Sequence, residues 1–144
     1  MNVTDLIASR TQVFSMPDSA TVHDVARYLR EKGVRSAGVL DAQGKLVGVV
    51  SQSDISDKVA AENKCPAWMR VSEIMSTNLI TVNPETSLDE CARLMDKHGI
   101  FHLAVVDAEK GFRGLISVQD LLKVIASAHK ARADMLEAYM FPQR

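Results

Sequence analysis

The chain has 144 residues, 47% of them hydrophobic and 24% charged, which argues against a disordered protein because such a chain can bury a substantial core. Its formal net charge is −1 and its basic residues are scattered, so we expect neither a nucleic-acid nor a membrane partner. The first residues lack a basic segment and no apolar run approaches the roughly 20 residues that span a bilayer, which predicts a cytoplasmic protein.

The first 62 residues predict one unit of strand, helix, two strands and helix. Thr21 and Asp24 have the spacing of a capping box, which begins a helix over 21–32, and Gly33 is typical of a left-handed helix stop. Pro17 is expected to end the preceding extended segment in a turn, since proline removes a backbone donor. The other predicted elements are three extended segments and a closing helix, over 13–15, 34–40, 46–50 and 53–62.

The second half of the chain repeats the first at an offset of 66 residues, with nine identities in the 35 aligned positions from 21 to 55 and no gap. Ser87 and Glu90 repeat the capping box, and Gly99 repeats the stop. Cys91 falls on the apolar stripe of this helix and is expected to be a buried thiol, whereas Cys65 lies in the linker. Strands are predicted over 100–106 and 112–116, a last helix from about 118, and a repeated lead-in at 3–7 and 71–75.

The last helix is expected to extend well past the repeat, with its tail over about 129–141. Apolar residues recur along it at steps of three and four, at Leu121, Val124, Ala128, Ala131, Met135 and Ala138. Its end concentrates large apolar side chains, namely Met135, Leu136, Tyr139, Met140 and Phe141. Such a surface is normally covered, so we expect it to pack on its own domain or on a dimer mate.

One heptapeptide pattern closes both strand pairs: GVVSQSD at 48–54 and GLISVQD at 114–120. A carboxylate in the first turn of a helix can accept two hydrogen bonds from a cis-diol, and the free donors at a helix start favour nearby negative charge. The same spacing is also that of a simple capping box, as at Thr21 and Asp24. A serine can cap its helix and still face a cleft, so both interpretations hold together.

The duplicated unit resembles the cystathionine-β-synthase (CBS) domain family, in the two turn motifs and in VSEIMS at 71–76 and GIFHLAVVD at 99–107. The resemblance implies an α/β (α+β) fold in which two β-α-β-β-α repeats pack with pseudo-twofold symmetry, with a C-terminal helical extension. The corresponding boundaries are 1–68 for the first repeat with its linker, 69–128 for the second repeat and 129–144 for the C-terminal helical tail. It further implies a freestanding regulatory protein of the prokaryotic type, which forms a homodimer.

The family binds adenosine-containing ligands, including S-adenosylmethionine, in clefts between repeats, so the resemblance implies a non-catalytic sensor of AMP, with ADP, ATP or NAD as alternatives. By the same resemblance the ribose-binding residues are Ser51, Asp54, Ser117 and Asp120. Arg35 and His102 are the candidates for the phosphate, and their difference predicts two unequal clefts. The candidates for the base pocket are Val13, Phe14, Ile80 and Val82.

Catalysis and a purely structural role are the two alternative functions. The chain has no P-loop, dinucleotide-binding or zinc-protease motif, and no serine or cysteine placed beside its histidines, so we expect no catalytic residues, no catalytic cofactor and no metal. A structural interaction module with vestigial ligand clefts is the alternative to a sensor, and its partner would be an unknown regulated protein.

Overall fold

The computed structural model describes residues 1–140, with side chains as far as residue 138. The fold is a mixture of α and β with two small sheets, ordered β1-β2-β3 and β4-β5-β6. In each sheet the first strand is parallel to the second, and the second is antiparallel to the third. The strands are β1 (Ser15–Pro17), β2 (Ser36–Leu40), β3 (Leu46–Ser51), β4 (Thr81–Val82), β5 (His102–Asp107) and β6 (Gly111–Ser117).

The helices begin and end largely at the predicted caps. Thr21 and Asp24 exchange both capping hydrogen bonds, and Gly33 and Gly99 close their helices at φ 67° and 62°. Ser87 caps its helix, whereas the Glu90 carboxylate turns to Arg93 and does not complete the box. The helices are α1 (Val3–Ile7), α2 (Val22–Lys32), α3 (Gln52–Ile55), which continues as a wider π-helical turn over Ser56–Ala60, α4 (Leu88–His98) and α5 (Val118–Met140).

The first strand lies later than predicted and contains the proline expected to end it. Pro17 aligns with Leu40 in the parallel pair, and the turn follows at Asp18, whose N–H donates to the Leu40 carbonyl. Proline is tolerated here because β1 is an edge strand, which needs no donor on its outer side.

Strands β2 and β5 begin two residues later than predicted. The N–H of Val34 donates to the Leu29 carbonyl and that of Ile100 to the Met95 carbonyl, so these residues still close the preceding helices. Arg35 and Phe101 therefore lie between a helix and a strand, outside both sheets.

Each repeat is completed by the lead-in of the other. Val71 and Ile74, which precede the second repeat, are buried in the core of the first, while Val3 and Ile7 of α1 are buried in the core of the second. Backbone bonds fix both exchanges: the N–H of Val3 donates to the Thr86 carbonyl at 2.9 Å, and that of Val71 to the Ala20 carbonyl at 2.9 Å. Neither core is therefore built from one continuous stretch of sequence.

The long helix α5 leaves the second core soon after it begins. Leu121 is buried, Val124 is half-buried, and every side chain from Ile125 to Ala138 is exposed, including Met135 at 74% and Leu136 at 57%. The predicted extension exists, but its described side chains do not pack on their own domain. Phe141 lies outside the described residues. Cys91 is buried, as predicted, and the linker residue Cys65 is exposed.

Candidate functional site

The second copy of the repeated turn joins β6 to α5. The N–H of Asp120 donates to Ser117 Oγ at 3.2 Å, and the N–H of Ser117 donates to Asp120 Oδ2 at 2.8 Å. This turn is therefore a capping box, which stabilises the start of α5. The Asp120 side chain nevertheless keeps 28% of its surface exposed. The capping role thus leaves part of the carboxylate free to meet a ligand.

The first copy of the turn has the same capping bonds but a more enclosed carboxylate. Ser51 donates to Asp54 Oδ2 from both its N–H and its hydroxyl, at 2.9 and 3.1 Å. Lys58, one helical turn along, approaches Asp54 Oδ1 to 3.1 Å and also donates to the Ile74 carbonyl at 2.8 Å. Both oxygens of Asp54 are engaged and its side chain is only 13% exposed. The two copies therefore present their aspartates differently.

A cleft of about 1000 Å³ opens between the repeats beside Asp120. Residues from equivalent positions of the two repeats line it: Arg35 and Ser36 from the first, and Phe101 and His102 from the second. Phe14 adds an aromatic ring to the wall. The cleft is thus a shared surface of both repeats.

Positive side chains outnumber negative ones in the wall of this cleft. Arg10, Arg35 and Lys123 line it as permanent cations, and among the described residues Asp120 is the only carboxylate in its wall. Guanidinium and ammonium groups recognise phosphate through charge-assisted hydrogen bonds. The cleft can therefore hold an anionic group beside a diol acceptor.

His102 is half-buried in the wall of the cleft. Burial lowers the pKa of its imidazole, and the nearby Asp120 carboxylate only partly opposes that effect. At neutral pH the ring is therefore mainly uncharged, so it can serve as a hydrogen-bonding group and not as a cation.

Five predicted site residues line this one cleft: Phe14, Arg35, His102, Ser117 and Asp120. Ser51 and Asp54 lie at the other turn, outside it. Of the remaining base-pocket candidates, Val13 is exposed, Ile80 packs against the second core, and Val82 is buried in that core. None of these three borders the Asp120 cleft, and their proposed role stays a prediction.

Sequence reasoning missed two cationic residues of the cleft, Arg10 and Lys123. Lys123 follows Asp120 by three positions on α5, so helical spacing could have placed both on one face. No comparable sequence pattern indicated Arg10. It follows α1 and lies 110 residues from Asp120 in the sequence, and the exchange of lead-ins brings the two together. Its Nη2 lies 2.9 Å from Asp120 Oδ2.

Within residues 1–140, no cluster of three or more His, Cys, Asp or Glu side chains is arranged to hold a metal ion. None of the helices in the same range combines the length and the hydropathy of a transmembrane span.

Known proteins share this architecture. The sequence model of the CBS domain matches residues 3–61 and 71–127. The CBS domain-containing protein YhcV of Bacillus subtilis is 32% identical over 111 residues, which cover 77% of each chain. The match spans only 59% and 37% of two longer archaeal relatives.

Solved structures agree with this family. A protein with CBS domains from Burkholderia ambifaria has a TM-score of 0.80 at 29% identity, and the match covers 88% of this chain and 95% of that one. The CBS domain pair of protein MJ0100 has a TM-score of 0.76 at 26% identity, covering 87% of this chain and 99% of that one. It was solved in complex with 5′-methylthioadenosine and S-adenosyl-L-methionine.

The lowered pKa of His102 predicts a pH-dependent stability. In the unfolded chain the imidazole has its usual pKa near 6.5, whereas burial lowers its pKa in the folded chain. The contribution of the neutral imidazole to stability is therefore fully present above pH 6.5 and is lost as pH falls through the folded pKa. Relative to a His102→Gln variant, the wild type should lose unfolding free energy between about pH 7.5 and pH 5. Urea denaturation at several pH values measures the difference, and a difference independent of pH would contradict the burial effect.

Proposed function

This chain belongs to the CBS domain family, and on that premise we propose that it is a non-catalytic sensor that binds an adenosine-containing ligand in the cleft beside Asp120. AMP is the preferred candidate for that ligand. One observation carries the proposal. The cleft brings a helix-start carboxylate of the second repeat, Asp120, together with a guanidinium and an aromatic ring of the first, Arg35 and Phe14. These groups match the diol, the phosphate and the base of a nucleotide.

The charge of the cleft supports a phosphorylated ligand. Its three permanent cations exceed its one carboxylate by two. A phosphate monoester carries about −1.5 to −2 charges at pH 7, which such a surface neutralises. S-adenosylmethionine carries a positive sulfonium, which the same surface disfavours. The ligands of the MJ0100 domain pair support the adenosine part of the proposal, and the cations support the phosphate part.

We propose that only one of the two turns binds the ligand. Asp54 is enclosed by Ser51 and by Lys58, which a second bond to the Ile74 carbonyl holds in place. The side chain of Met75 also lies against Gly48 at the head of this turn. At Gly114, the equivalent residue, a side chain would meet only Arg10 among the described residues, at 3.9 Å. We therefore expect one occupied site per chain, at Asp120.

Ligand binding is proposed to act on helix α5. Ser117 and Asp120 form its first turn, and the exposed remainder of the helix projects from there. A ligand that engages Asp120 and Arg35 favours one arrangement of the repeats, and linkage then alters the surface that α5 presents. The regulated partner of that surface would be another protein. The cytoplasmic location, and the lack of nucleic-acid and membrane partners, stay predictions from composition.

A structural interaction module with vestigial clefts is the alternative function. The ion pairs that already engage Asp54 and Asp120 favour it, because a ligand must displace them. An enzyme is the more distant alternative. Incubation of the protein with AMP, ATP or NAD, followed by chromatography, should return each nucleotide unchanged.

Asp120→Asn is expected to weaken AMP binding about tenfold or more, because it removes the charge that strengthens hydrogen bonds from the ribose. The asparagine oxygen can still accept the capping bond, so the fold should persist. Isothermal titration calorimetry should also give one AMP per chain for the wild type.

Asp54→Asn is the matched control, since it changes the equivalent carboxylate in the equivalent turn. Its AMP affinity should stay within about threefold of the wild type. An equal loss of AMP affinity in the two variants would contradict the proposal that AMP binds in the Asp120 cleft alone. No binding of AMP, ATP, NAD or S-adenosylmethionine to the wild type would favour the structural module.

We further propose that a second copy of the chain covers the α4–α5 groove, a surface defined by Met95, Ile100, Phe101, Leu122 and Ile125. The groove encloses about 370 Å³. Three of its side chains are exposed large hydrophobics: Phe101, Leu122 and Ile125. Apolar surface of this kind is usually covered by a partner, and family resemblance implies a homodimer.

Ile125→Glu should shift the protein from dimer to monomer, because a charge in an apolar interface is costly to bury. Ser127→Glu is the control: it adds the same charge to the same helix, two residues away and therefore on a different face. Light scattering after size-exclusion chromatography gives the mass of each. A dimeric Ile125→Glu variant, or a wild type that is already monomeric, would contradict this interface.

A further inference from the structure

Arg10 lines the Asp120 cleft and is bound to Asp120 itself. Its guanidinium donates from Nη2 to Asp120 Oδ2 at 2.9 Å and from Nη1 to the Leu115 carbonyl. The Arg10 side chain is 31% exposed, so it stands at the surface of the cleft. One side chain of the first lead-in therefore engages both strand β6 and the carboxylate proposed to bind ribose.

This contact is of the kind that a ligand can exchange. Ion pairs that remain partly exposed contribute little to stability, because water screens them. A guanidinium carries five donors in a planar fork, and phosphate oxygens match that fork as well as a carboxylate does. Opening the pair in favour of a phosphate therefore replaces one charge-assisted interaction by another.

The corresponding cation of the first turn is placed differently. Lys58 is on the same helical segment as Asp54, is bound to the Ile74 carbonyl, and does not line the Asp120 cleft. Arg10, in contrast, comes from a separate segment and lines the cleft together with Arg35 and Lys123. Only Arg10 can leave its aspartate and still face a ligand in this cleft.

We propose that Arg10 makes this site selective for a phosphorylated nucleoside over the unphosphorylated one. The inference rests on the function proposed above. The ribose hydroxyls take the place of Arg10 on Asp120, and the released guanidinium binds the phosphate. A nucleoside without phosphate must also displace Arg10 from Asp120, but it offers the guanidinium nothing in return.

The test compares AMP with adenosine on the wild type, Arg10→Gln and Arg10→Lys by isothermal titration calorimetry. Arg10→Gln should weaken AMP about tenfold or more, since a charge-assisted contact is lost, and should leave adenosine binding equal or tighter. The preference for AMP over adenosine should therefore fall at least about tenfold. Arg10→Lys keeps the charge without the fork and should retain part of the preference.

Lys58→Gln is the matched control, because it removes the cation paired with the other aspartate, and it should leave the preference unchanged. Thermal unfolding of each variant shows that it is folded. An Arg10→Gln variant that changes both affinities by the same factor, or neither, overturns the selectivity role while the binding function stands. A wild type that binds neither AMP nor adenosine overturns this inference, and one that also fails to bind ATP, NAD and S-adenosylmethionine overturns the proposed function as well.

Discussion

The buried side chains of Val3 and Ile7 belong to the core of the second repeat, and those of Val71 and Ile74 to the core of the first. Burying an aliphatic side chain of this size stabilises a fold by about 1.5–3 kcal/mol, so neither repeat can release its borrowed segment without a large loss. The exchange therefore ties the two repeats together. It also brings the residues just after α1 to strand β6, which is how Arg10 reaches Asp120.

Local features of the chain were predictable from the sequence. The helix caps at Thr21 and Ser87 and the glycine stops at Gly33 and Gly99 depend on neighbouring residues, and the structure confirms them. The duplication predicted two similar sheets, and two are present. The prediction that Pro17 ends the first strand was wrong. A strand can contain proline when it lies at the edge of a sheet, as β1 does, and that position is a property of the sheet and not of the local sequence.

The cleft was predictable only in part. Ser117, Asp120, Arg35, His102 and Phe14 were named from motif positions and line one cavity. The inequality of the two turns could not be derived from the motifs, because the residues that distinguish them come from other segments. Lys58 engages Asp54, and Arg10 engages Asp120 from the exchanged lead-in. The lowered pKa of His102 likewise depends on its burial, which makes the arginines and Lys123 the better candidates for the proposed phosphate contact.

Two turns of the same serine–aspartate pattern thus have different surroundings in one fold. At Asp54 the carboxylate caps a short helix and is neutralised within its own segment, whereas at Asp120 it caps a long helix and borders an open, cationic cleft. The function proposed for the second turn rests on its surroundings: a carboxylate, an aromatic ring and several guanidinium or ammonium donors line one cavity. The same turn begins α5, which carries the exposed apolar side chains of Ile125, Met135 and Leu136.

A crystal structure of the chain with AMP tests the central claim most directly. We expect the ribose hydroxyls within hydrogen-bonding distance of the Asp120 carboxylate, and the phosphate within hydrogen-bonding distance of Arg10 and Arg35. Density for AMP at the Asp54 turn, or AMP in the cleft with Asp120 bound only to Arg10, would contradict it.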